Sequence, residues 1–105
     1  MAANLPKNLE IVATVTHSRH CANFISENET FVFDVNGCLL PEKSSANLCL
    51  GILARIQPAL LNIQDRINEG IEPLPSSLKF LDCFDTGLDF GGMGKVTVEL
   101  SVERT

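Results

Sequence analysis

Apolar and polar residues alternate most cleanly at the two ends of this chain. Leu9, Ile11, Ala13 and Val15 fall on one face of a β-branched run from Leu9 to Thr16, which predicts a strand buried mainly on one side. Near the other end, Val96, Val98, Leu100 and Val102 alternate with Thr97, Glu99, Ser101 and Glu103, the pattern of a second one-face-buried strand. Between them, Thr30 to Val35 reads as another strand. The following Asn36-Gly37 then predicts a type I′ hairpin turn, with Cys38-Leu39-Leu40 as a short return arm ended by Pro41. Ser26 to Glu29 is a turn within the polar stretch from His17 to Thr30.

The period then changes. Leu48, Ile52, Ile56, Leu60, Ile63 and Ile67 keep spacings of three or four residues, the stripe of an amphipathic helix from about Ala46 towards Asn68. Ser44 or Ser45 would cap its start, Pro58 predicts a kink or a restart, and Gly70 sits where a left-handed cap belongs. Pro73 and Pro75 forbid further helix, Leu78 to Cys83 reads as a strand, and the loop from Phe84 to Gly94 carries four glycines. The expected fold is α+β: a four- or five-stranded, mostly antiparallel sheet with one kinked or broken helical segment packed on one face.

Size and charge narrow the picture. The 105 residues suffice for one domain, with residues 1–8 as a loose arm. A net charge of −5, with neither Trp nor Tyr, opposes phosphate backbones and offers no base-stacking platform, so nucleic acid is not an expected partner. The most apolar window, Leu48 to Ala54, meets Arg55 at once and is too short to cross a membrane. No apolar region follows the first residues as a secretory signal would require, so the expectation is a cytoplasmic protein with reduced thiols. Extra apolar residues such as Leu39, Leu40, Leu61 and Phe90 suggest a contact surface, for a second copy of the chain or for a larger protein subunit.

Candidate chemistry gathers around His17-Ser18-Arg19-His20-Cys21. Both histidines lie within five residues of a cysteine, and imidazole and thiolate are the usual zinc ligands. His20, Cys21, Cys49 and Cys83 form the candidate metal set, and His17, Arg19 and Asp85 extend it to a candidate binding site. Successive cysteines are 17, 11 and 34 positions apart, a spacing that matches no zinc module. Free cysteine is also among the most buried residue types, so inert packing is the plainer reading, with Cys38 packed beside its turn. A thiol-dependent reaction at Cys21 would use Arg19 and a protonated histidine to stabilise the thiolate. It also needs a base and an orienting group, which the sequence does not assign. Gly91-Gly92-Met93-Gly94-Lys95 is not a phosphate loop, because Asp89 stands where the first glycine belongs and Val96 where Ser or Thr must follow the lysine.

In order along the chain, Cys21, Phe31-Val32-Phe33-Asp34, Gly37, Leu40-Pro41-Glu42, Cys49 and Cys83-Phe84-Asp85 resemble a family of small uncharacterised bacterial α+β proteins with three spaced cysteines. The likeness runs from Leu9 to Arg104, and departs from the family pattern at Ala22, where the family has Pro, and at Lys43, where it has Gly. It implies a compact α+β domain in which Cys21, Cys49 and Cys83 approach one another. It implies no reaction. Two readings follow: a small accessory or ligand-binding domain, oligomeric and without chemistry of its own, or a small metalloprotein or thiol-dependent enzyme.

Overall fold

A computed structural model describes residues 8–19, 25–46, 50–82 and 95–104. Among the described residues, four strands and one long helix form: β1 (Leu9–Arg19), β2 (Thr30–Asp34), α1 (Leu50–Glu69), β3 (Phe80–Asp82) and β4 (Lys95–Arg104). A 3-10 turn at Ser76–Leu78 leads into β3. The strands make one antiparallel sheet in the order β2-β1-β4-β3, so the two terminal strands of the sequence lie side by side at its centre. The α+β expectation is met, with a sheet of four strands.

The period of two explains which face is covered. Ile11 is opposite Phe33 on one side and Val102 on the other, and Ala13 is opposite Phe31 and Leu100. These side chains project to one face, where Ile52, Ile56, Ala59, Leu60 and Ile63 of α1 join them in a single core. The largest of them are fully buried. The helix supplies the matching stripe because its apolar residues recur every three or four positions.

Pro58 does not divide α1, which is one element from Leu50 to Glu69. Proline leaves the Ala54 carbonyl without its usual donor, but both residues are exposed, so water can serve that carbonyl. Gly70 ends the helix as expected, at φ +75°. Its N–H donates to the Ile67 carbonyl (3.1 Å) and Ile71 N–H to that of Arg66 (3.1 Å), the paired bonds of a Schellman cap.

The hairpin turn differs from the type I′ expectation. Gly37 alone has positive φ (+87°) and its N–H donates to the Asp34 carbonyl (3.0 Å), so Val35 and Asn36 are the central residues of a type I turn. Asp34 explains the shift: its Oδ1 accepts from the N–H groups of Asn36 and Cys38, both at 2.9 Å. An aspartate that satisfies two loop donors outweighs the Asn-Gly signal. Cys38 in this turn is exposed, not packed.

The Ser44 and Ser45 hydroxyls serve the edge of β2, and residues 47–49, through which the helix start was expected to run, lie outside the described residues. The Ser44 hydroxyl accepts from Val32 N–H (2.9 Å) and donates to the Leu40 carbonyl (2.8 Å). Ser45 Oγ accepts from Thr30 N–H at 2.9 Å. Leu40 N–H donates to Val32 and Ser45 N–H to Thr30, so the outward groups of β2 are paired without a fifth strand. Leu78 belongs to the 3-10 turn, which shortens the expected fourth strand to Phe80–Asp82. Residues 1–7 of the expected arm, the glycine-rich stretch 84–94 and Phe90 lie outside the described residues. No helix among the described residues is long and apolar enough to cross a membrane.

Candidate functional site

His17, Ser18 and Arg19 were expected to leave the first strand, yet β1 runs through them. A bulge makes this possible. Val15 is opposite Val98 and His17 opposite Thr97, leaving Thr16 as the extra residue. One added residue reverses the alternation. Odd-numbered residues of β1 point into the core up to Val15, whereas His17 and Arg19 share the open face with Thr97 and Lys95. Ser18 turns towards the covered side, where its hydroxyl donates to the Ile25 carbonyl at 2.5 Å.

The result is a polar corner where β1 ends, β4 begins and β3 ends. Arg19 lies directly opposite Lys95, and Asp82 opposite Thr97 on the other flank of β4. Asp82 organises the corner. Thr97 Oγ1 donates to its Oδ1 at 2.6 Å, Lys95 Nζ lies 3.4 Å from its Oδ2, and Arg55 Nε of α1 donates to its carbonyl oxygen at 3.1 Å. The Thr97 hydroxyl, foremost, and the Lys95 ammonium hold the Asp82 carboxyl below its ordinary range, against a smaller opposing effect of burial. His17 Nδ1 lies 3.9 Å from Glu27 Oε2, with both side chains more than half exposed.

Arg19 is in the reverse situation. It is exposed, faces a lysine across the strand pair, and makes no salt bridge among the described residues. Like charges directly opposite on one sheet face repel. The Asp82 carboxylate already partners Lys95, so the Arg19 guanidinium is the group able to give charge-assisted hydrogen bonds to an added anionic group. Asp82, with Asp85 and Asp89, matches no calcium-loop spacing in the sequence. Its one signal is position, at the end of a strand and next to Cys83.

Of the expected site residues, His17 and Arg19 are brought together here. His20, Cys21, Cys49, Cys83 and Asp85 lie outside the described residues, and so does the whole candidate zinc set. Among the described residues, no three His, Cys, Asp or Glu side chains converge to hold a metal ion. Cys38 stands apart from the corner in sequence and fold, at the hairpin beyond β2. Comparison with known proteins finds no matching family model, no matching curated protein and no matching solved structure.

Proposed function

We propose that this chain is a small cytosolic accessory or ligand-binding domain, acting as a homo-oligomer or as a subunit of a larger assembly. Its ligand carries an anionic group that seats at the corner of Arg19 and Lys95, with Thr97 and His17 beside it. The observation that carries this reading is the cross-strand placement of Arg19 opposite Lys95 at the exposed end of β1 and β4, two cationic residues at one register position in a chain of net charge −5. Thr97 and Asp82 fix Lys95 in place, which lowers the ordering cost of binding.

Titration with inorganic phosphate, followed by amide chemical shifts, tests it. Saturable shifts confined to the ends of β1 and β4 are expected, and Arg19→Ala should weaken them at least tenfold. Shifts that do not saturate, or that survive Arg19→Ala, overturn the proposal.

A second reading stays open for one reason. Arg19 and Asp82, the last described residues before His20 and Cys83, end neighbouring parts of the same sheet corner. That placement supports a thiol or zinc centre drawing on His20, Cys21, Cys49 and Cys83, in keeping with the likeness to the three-cysteine family. Elemental analysis of protein purified without chelator decides it: about one equivalent of zinc supports the reading. Less than a tenth of an equivalent, with all four thiols slow towards a thiol reagent, removes it.

A further inference from the structure

The sheet ends differently on its two sides. Along β2, Leu40, Ser44 and Ser45 pair the outward backbone groups. Along β4, pairing with β3 stops at Glu99, and just beyond it Leu100 N–H donates to the Lys79 carbonyl at 2.7 Å. Backbone groups alternate in direction along an antiparallel ladder, so the N–H and C=O of Val102 point away from β1 as well. No group among the described residues pairs with them. The chain's own preceding residues are barred from that edge. Continuing the β3 register would set Ser77 opposite Val102 and Pro75 opposite Arg104. Proline has no N–H to give, and Ser76–Leu78 turn away as the 3-10 segment. A cleft of about 510 Å³ is left along β4, lined also by Leu9, Glu72, Leu74 and Lys79. Its size is within the roughly 300–1,000 Å³ of ligand clefts.

We propose that this cleft takes an extended, cationic peptide segment of a partner protein, which adds to β4 as a strand along residues 101–104. Alternating donors and acceptors of an extended backbone are the chemistry that complements the unpaired N–H and C=O of Val102. A residue opposite Val102 shares its face with Leu9 and Leu74 nearby, which suits an apolar side chain. Residues opposite Ser101 and Glu103 lie on the other face, beside Glu99 and Glu103. Glu103 makes no salt bridge among the described residues, so lysine or arginine suits these two positions. The net charge of −5 attracts the same sign of partner over distance and opposes a second copy of the chain. The cleft lies at the opposite end of β4 from Arg19 and Lys95, so a peptide here and an anion at the corner are independent events.

Titration of the full chain with the blocked peptide acetyl-Thr-Lys-Val-Lys-Thr-amide tests this, followed by amide chemical shifts and hydrogen exchange. Saturable shifts along residues 101–104 are expected. Exchange should slow at Val102, whereas Leu100, whose N–H is already bonded, should not change. N-methylation of the peptide's valine removes the donor to the Val102 carbonyl, keeps every side chain, and should weaken binding about tenfold or more. Glu103→Lys, at an exposed position, should weaken it about threefold. Indifference to that substitution overturns the cationic preference. No saturable shift at millimolar peptide, or equal binding of the methylated peptide, overturns the added strand. So does slow exchange of Val102 in the free protein, which would mean that the edge is already covered. A dependence on protein concentration would then assign the cover to a second copy, and its absence to the chain itself.

Discussion

On the covered face of the sheet, Ile11, Ala13, Val15, Phe31, Val98 and Leu100 lose all contact with water, whereas one residue away on the same strands Glu10, Thr14, Glu99 and Ser101 keep part of theirs. The covered face is bound by volume, since each side chain fills space that its cross-strand partner and α1 leave open. The open face is bound by pairing of charges. Glu10 meets Lys43, Glu99 meets Lys79 at 3.4 Å, and Asp82 meets Lys95. One strand thus serves two different demands. The first tolerates little change, and the second leaves room for recognition.

The sharpest way to break this contrast is to empty the covered face. Phe31→Ala should cost about 3–5 kcal/mol in urea unfolding, the range for a large buried side chain whose site cannot collapse. Thr14→Ala, on the opposite face of the adjoining strand, should fall within about 0.5 kcal/mol of the wild type. Equal effects would show that the open face is not open in solution.

Next in size is the hairpin that holds β2 against the helix. Gln64 Nε2 donates to the Val35 carbonyl at 2.7 Å, and a Cβ at Gly37 would lie 3.2 Å from the same nitrogen. With its φ of +87°, Gly37→Ala should therefore cost about 1–2 kcal/mol or more, read from the thermal midpoint. A smaller loss at the β2 edge follows from Ser44→Ala. It leaves the Val32 N–H without its side-chain acceptor, at about 1–2 kcal/mol if water cannot reach it.

Acid sharpens the comparison from the open face. Asp82 has a lowered carboxyl pKa in the folded chain, so its stabilising effect is complete above the unfolded value of about 3.9 and is lost as pH falls through the lower folded value. Asp82→Asn should remove that part of the acid dependence while leaving the neutral-pH fold intact. An unchanged acid limb would show that the Thr97 and Lys95 contacts contribute nothing in solution. A small effect is also expected of Lys79→Ala, whose exposed pair with Glu99 should contribute at most about 1 kcal/mol and less in high salt.

Legibility in the sequence followed the same division. Alternation in β1 and β4 and the stripe of α1 identified the covered face correctly, because burial by volume repeats with the period of the element. The Gly70 cap was equally plain, since few residues other than glycine adopt that φ without cost. Where a side chain chose among competing partners, local signals misled. Asp34 moved the turn that Asn36-Gly37 announced, and the edge of β2 engages the hydroxyls of Ser44 and Ser45, which the sequence pattern assigned to the helix start. The polar corner was half legible: His17 and Arg19 stood out by composition, while Thr97 did not and nothing in the sequence joined Asp82 or Lys95 to them.

What the sequence determined alone is therefore the class of the fold, the buried faces of its long elements and the cap that ends α1. Hydrophobic periodicity and backbone sterics act within a few residues, so they are written locally. The order β2-β1-β4-β3, the bulge at Thr16 and the meeting of Arg19 with Lys95 were decided only in three dimensions. Strand pairing joins residues 76 positions apart, and a single extra residue in the ladder reverses which side chains meet the solvent. That reversal turned Arg19 from the core-facing series of β1 onto the face where the proposed anion binds.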